Sequence, residues 1–193
     1  MILAKLLSRI RFRLSAWVQP RMIYGFHRHD GVFLSRTRLS NLTRVEHVHQ
    51  LDIGDNVYIG HFNFIDASGG LNIGEGCQIT NYVSILTHSS HIAIRLYGKR
   101  YLDHQNHVGY LRKSTVIGRY SFIGPHSVVM PGAHLGMGSL VSAYSFVSAG
   151  EYPDFAILAG NPAKVVGDTR EMDAELLDSH PDLIALYEEW TRD

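Results

Sequence analysis

The chain has 193 residues with 18 basic and 18 acidic side chains, a formal net charge of zero. That balance provides no global field to gather nucleic acid or an acidic partner. The single cysteine, Cys77, excludes an internal disulfide and a paired-cysteine zinc site, and no apolar run approaches the ~20 residues of a membrane span.

Residues 1–24 read as an amphipathic helix, with Ile2, Leu3, Leu6, Leu7, Ile10, Leu14 and Trp17 near helical spacing and Pro20 to end it. Its charges (Lys5, Arg9, Arg11, Arg13 and Arg21) are all basic and break the apolar run too often for a signal peptide. The expectation is a cytoplasmic protein. Its N-terminal helix either packs on the rest of the chain or makes a weak peripheral contact with the inner face of a membrane. Residues 1–44 form this helical and irregular segment.

From Ile53 the chain repeats every six residues: "IGDNVY", "IGHFNF", "IDASGG", an insert "LN", "IGEGCQ", "ITNYVS" and "IL". After a long excursion the units resume as "IGRYSF", "IGPHSV", "VMPGAH", "LGMGSL", "VSAYSF" and "VSAG". The first position is Ile, Leu or Val, and the fifth is small or modest (Val57, Asn63, Gly69, Cys77, Val83, Ser121, Ser127, Ala133, Ser139, Ser145). This period is neither the 3.6 of a helix nor the two of a strand. It suits short strands joined by turns, three units closing one triangular coil, with the aliphatic residue pointing inward. One coil cannot bury its apolar face alone, so stacking is required. Residues 45–167 form this solenoid. Cys77, at a fifth position, reads as structural.

The excursion, about residues 87–113, begins at "LTHSSH" and holds His88, His91, His104 and His107. Its remaining residues, Arg95, Tyr97, Tyr101 and Tyr110 among them, combine aromatic faces with polar tips, as sugar binding or a subunit contact requires. After the last coil comes "AGNPAKVVG", residues 159–167, in which Gly160 and Pro162 shape a fixed turn. Residues 168–193 read as a tail of one or two short helices broken around Pro181.

The repeat and the "AGNPAKVVG" terminus resemble the hexapeptide-repeat acetyltransferases, in particular the sugar and polysaccharide O-acetyltransferases such as the maltose, galactoside and exopolysaccharide enzymes. The resemblance implies an all-β solenoid, a left-handed parallel β-helix. It also implies a homotrimer with acetyl-CoA as cosubstrate, no metal, and an active site between subunits. The hand comes from the resemblance, since spacing does not show it. In those enzymes a histidine where an excursion leaves the coils is the general base. His88 falls on that position, with Thr87 where the family has Gly, and His91 stays open as the alternative. A base of imidazole pKa suits a sugar hydroxyl, which does not ionise near neutral pH.

Asp66 lies about one coil before the base and would hold the histidine or the acceptor. Asn63, Arg95 and Tyr97 are further acceptor candidates. The resemblance places the pantetheine arm along Gly124, Pro125, Ser142 and Ala143, with Ser148 and Ala149 nearer the nucleotide and Lys164 on a phosphate. The acceptor it implies is a sugar unit of capsule, exopolysaccharide or O-antigen. An N-acetyltransferase of a nucleotide amino-sugar, a serine acetyltransferase and a xenobiotic acetyltransferase remain alternatives. Outside this class stand a scaffold and a metal enzyme like the γ-type carbonic anhydrases. The latter would need His88 and His91 to converge with His61, His126 or His134.

Overall fold

The six-residue repeat folds as short strands separated by tight corners, in a computed structural model that describes residues 7, 9–11, 15 and 19–192. The chain enters on β1 (Met22–His27), which pairs antiparallel with β2 (Phe33–Ser40). The first coil is β2, β3 (Arg44–Glu46) and β4 (Leu51–Ile53). The second is β5 (Tyr58–Ile59), β6 (Phe64–Asp66) and β7 (Leu71–Ile73). The third starts with β8 (Gln78–Ile79) and β9 (Ser84–Ile85) and is interrupted by the excursion. There, β10 (His88–Ser89), α1 (Ala93–Tyr97) and β11 (Leu111–Arg112) precede the closing β12 (Thr115–Ile117). Then follow β13 (Phe122–Ile123), β14 (Val128–Val129) and β15 (Ala133–Leu135), and after them β16 (Leu140–Val141), β17 (Phe146–Val147) and β18 (Gly150–Tyr152). Finally β19 (Ala156–Gly160) folds back antiparallel on β20 (Ala163–Asp168). The tail is α2 (Thr169–Ser179) and α3 (Ile184–Thr191), on either side of Pro181.

The coil strands fall into three sheets: β2-β5-β8-β13-β16-β19 on face 1, β3-β6-β9-β14-β17 on face 2, and β4-β7-β12-β15-β18 on face 3. The chain visits the faces in that order on every turn, and the rungs pair in parallel (Ile59 with Ile79, Ile123 with Val141, Ile65 with Ile85). This is a parallel β-helix of three faces. Its core is the stacked first positions: Ile53, Ile73 and Ile117 on one face, Ile59, Ile79 and Ile123 on another, Ile65 and Ile85 on the third, none more than 1% exposed.

The corners explain the rest of the repeat. The second-position glycines pass close under the next coil: a Cβ on Gly118 would lie 2.4 Å from the backbone of Gly136 and Met137. At the fifth position the serines tie coil to coil. Ser121 Oγ donates to the Gly136 carbonyl at 3.2 Å and accepts from the Ser139 amide at 3.2 Å, and Ser127 repeats this with Ser142 and Ser145. Buried corner backbone is thereby satisfied. The residue before each such position is left-handed: Phe62 (φ 61), Tyr82 (φ 60), His126 (φ 60) and Tyr144 (φ 59) are examples. That conformation costs a non-glycine residue about 1–2 kcal/mol, and here the four rings stack coil on coil at 4.8–5.1 Å.

Two expectations change. The stack starts ahead of residue 45, because Arg38 and Leu39 of β2 already pair in parallel with β5. The segment 1–44 is therefore not helical and irregular throughout: from Met22 it is largely strand, since residues 33–40 supply the first rung. Most of the amphipathic helix expected before Pro20 lies outside the described residues, of which Leu7, Arg9, Ile10, Arg11 and Ser15 are helical. Among the described residues no helix is long and apolar enough to cross a membrane.

Candidate active site

Where face 2 turns toward face 3, the excursion leaves and returns. Its two ends pair with each other, His88 with Arg112 and Ser89 with Leu111. The arm is thus anchored at the residue expected to act as base. Asp66 ends β6 one coil below, separated by 22 residues in sequence, and its carboxylate Oδ2 stands 2.7 Å from His88 Nδ1. Asp66 is fully buried, while a third of the His88 side chain (33%) reaches solvent.

The carboxylate is held from several sides. It accepts from the Thr87 hydroxyl (2.7 Å) and amide (3.1 Å), and from the Ser68 amide (3.0 Å) and hydroxyl (3.1 Å). Burial alone would raise its pKa. The hydrogen bonds from Thr87, Ser68 and His88 outweigh that and hold it well below the usual carboxylate range. An ionised carboxylate only accepts, so His88 carries a proton on Nδ1, and in the neutral imidazole Nε2 is the acceptor. Ser68 Oγ lies 2.9 Å from His88 Nδ1 as well, closing a three-residue cluster. The Tyr110 ring lies parallel to the imidazole, 5.7 Å away at 7°. Burial, followed by the nearby Tyr101 and Asp66, raises the Tyr110 hydroxyl pKa. Arg112 Nε donates to the Ser68 carbonyl at 2.7 Å, pinning the returning arm to the coil.

The other candidates separate. His91 is exposed, its Nδ1 is 2.8 Å from Ser89 Oγ, and no carboxylate among the described residues holds it. Arg95 donates to the His91 carbonyl, and the Tyr97 hydroxyl accepts from the Val108 amide at 2.9 Å, so both brace the excursion. Asn63 is 3% exposed. Its Nδ2 donates to Gly60 and Thr80 carbonyls and its Oδ1 accepts from the Val83 amide, so it is a corner residue with no group left for an acceptor.

The cofactor candidates lie on two edges. Gly124, Pro125, Ser142 and Ala143 stack where face 1 turns into face 2: a Cβ on Gly124 would meet the Ala143 amide at 2.5 Å. The glycine is thus required by coil stacking. Ser148 and Ala149 lie instead on the His88 edge: a Cβ on Gly132 would meet Lys113 at 2.9 Å and Ala149 at 3.5 Å. Lys164 is exposed on β20, opposite Ala159. One chain does not gather these seven residues around one ligand.

Glu46, His47 and Asp66 place one ligand atom each within 4.8 Å of one another. The Asp66 oxygens already accept from Thr87, Ser68 and His88, so a cation there would have to displace protein donors. The three-histidine convergence does not form within the chain. His61 Nδ1 sits 2.7 Å from Ser40 Oγ, His126 belongs to the aromatic stack, and His134 pairs with Glu151 at 2.7 Å.

Sequence reasoning missed Ser68, Thr87 as a carboxylate clamp, and Arg112. The signal for Ser68 was present in "DAS", an aspartate with a serine two residues on, the pattern of a side chain capping its own turn.

No protein-family model matches the chain. It is 32% identical over 133 residues to the carnitine operon protein CaiE of Proteus sp., covering 64% of this chain and 61% of that one. It is 30% identical over 138 residues to serine acetyltransferase 2 of Arabidopsis thaliana, covering 72% of this chain and 39% of that protein. The chain thus spans less than two thirds of these relatives' length. Among solved structures, a galactoside acetyltransferase in complex with coenzyme A superposes with a TM-score of 0.57 at 24% identity, over 68% of this chain and 62% of that one. In fold, the chain is similar to solved hexapeptide-repeat acetyltransferases.

Proposed function

We propose that the protein is an acetyl-CoA-dependent O-acetyltransferase acting on a sugar hydroxyl of a bacterial surface polysaccharide, with His88 as general base. One observation carries this reading: the Nδ1 of His88 is fixed on an ionised, fully buried Asp66, which leaves Nε2 as the available ring nitrogen of a side chain one third open to solvent. Acetyl-CoA would supply the acyl group as an activated thioester. His88 Nε2 takes the proton of the acceptor hydroxyl as that oxygen attacks, and later returns it to the departing sulfur. Asp66 keeps the imidazole in the correct tautomer and stabilises its charged form while the proton is held. The Tyr110 ring lies parallel to the imidazole, 5.7 Å away, beside one face of the base.

Gly124, Pro125, Ser142 and Ala143 on one edge, Ser148 and Ala149 on another, and Lys164 would hold the donor. A left-handed coil in a closed homotrimer, as the resemblance implies, sets an edge of one protomer against the next and lets the two sets serve one cleft. The likeness to CaiE and to a serine acetyltransferase keeps serine among the acceptors to be assayed. The test is thiol release from acetyl-CoA across a panel of sugars and serine, with wild type, His88→Ala and His91→Ala. Release with a sugar that vanishes in His88→Ala supports the proposal. Release with serine alone, or full activity in His88→Ala, refutes it.

A further inference from the structure

We propose that the cavity inside the excursion is a glycan subsite adjoining His88, so that the acceptor is an oligosaccharide or polymer segment and not a single sugar. The inference rests on the acetyltransferase reading and adds the class of acceptor.

The cavity measures about 730 Å³, inside the roughly 300–1,000 Å³ range of sites for small organic ligands. Tyr110 is the wall it shares with the base. That ring lies parallel to the His88 imidazole with centroids 5.7 Å apart, so one side chain both lines the cavity and neighbours the base. The lining also includes a braced aromatic platform. Tyr101 stacks on His107 at 4.0 Å and 13°, Tyr97 meets His107 edge-on at 4.9 Å, and His107 Nε2 is 2.6 Å from the Tyr101 carbonyl oxygen.

The same lining carries Gln105 and Asn106, whose side-chain amides take no partner among the described residues. Each offers a planar donor and acceptor, matching neighbouring hydroxyls of a pyranose, while the aromatic rings match its C–H face. The cavity offers little to an anion. Arg112 is its one permanent cation, and that guanidinium is engaged by the Ser68 carbonyl. A neutral, polyhydroxylated ligand fits this chemistry. With the reacting hydroxyl at His88 Nε2, the next sugar along the chain would lie past Tyr110, over Gln105 and Asn106.

The experiment uses the full chain and a glycan array printed with single sugars through hexasaccharides, read for wild type, His88→Ala and a Gln105→Ala/Asn106→Ala double variant. Both substitutions are at exposed positions, and a thermal melt checks that the double variant is folded. The proposal expects wild type and His88→Ala to retain glycans of at least two sugars, and the double variant to lose tenfold or more of that binding. In thiol release, kcat/KM for the long acceptor should exceed that for its single sugar tenfold or more, with the ratio near one in the double variant. Three results overturn it: no glycan retained, single sugars retained equally well, or undiminished binding by the folded double variant. Glycan binding without thiol release would remove the acetyltransferase reading and leave the subsite. Thiol release with equal use of short and long acceptors would remove the subsite and leave the enzyme.

Discussion

Replacing Asp66 by Asn probes the site at its most constrained atom. The side chain keeps its shape, but one carboxylate oxygen becomes an NH2. If the NH2 takes the Oδ2 place, it meets the Thr87 amide at 3.1 Å, the Thr87 hydroxyl at 2.7 Å and His88 Nδ1 at 2.7 Å. The amide N–H cannot turn, so a donor faces a donor in a buried site. If the oxygen stays there, the NH2 faces the Ser68 amide at 3.0 Å instead. Either way one buried backbone donor is left unsatisfied, which costs about 1–3 kcal/mol. The charge that held the Nδ1–H tautomer is also gone. Imidazole protonated on Nε2 cannot accept the acceptor proton, so kcat should fall about 10²–10⁴-fold, with KM for the donor little changed.

Thiol release measures the rate, and the 15N shifts of His88 report the tautomer independently of any acceptor. The pH dependence has a fixed sign. The Asp66 carboxyl lies below its ordinary value of 3.8, so its contribution to stability is complete above that pH and is lost as pH falls through the lower folded value. Asp66→Asn should therefore flatten the acid limb of the stability curve. A kcat within threefold of wild type, with His88 still protonated on Nδ1, would refute the argument.

Three further outcomes are expected. His88→Ala should lower kcat about 10²–10⁴-fold, whereas His91→Ala should stay within about twofold, because no carboxylate among the described residues orients His91; steady-state kinetics on both variants decides it. Ile123→Ala, at a 0% exposed rung between Ile79 and Val141, should destabilise the coil by about 2–5 kcal/mol in denaturant melts. Burial pushes the Cys77 thiol up to about 12. Native protein should thus resist thiol reagents at pH 8 and react once unfolded, and the part of the stability due to Cys77 should fade as pH rises from its ordinary value of 9.0 toward the folded one.

The coil was legible because each unit meets the same neighbours. An aliphatic first residue, a glycine and a small fifth residue answer a local demand that recurs on every face. A single chain therefore displays the rule many times over. Asp66 could be placed near His88 for the same reason, one coil spacing apart. The first rung was hidden in residues 33–40, where "FLSRTRLS" lacks the glycine that marks a corner.

What tertiary structure alone decided is the assignment of residues to edges. Gly124 and Ser148 look equivalent as small turn residues, but one stacks on the edge after face 1 and the other on the edge of His88. Asn63 and Asp66 are both polar and three residues apart. One is consumed by corner backbone, and the other is turned by the Ser68 amide and the Thr87 hydroxyl toward the imidazole. Burial and partner geometry set these differences, and both depend on the neighbouring coil and on the path of an excursion that obeys no repeat. The six-residue period by itself determined a stacked coil opening at residue 87; only packing between coils chose His88 over His91 as the histidine with a carboxylate behind it.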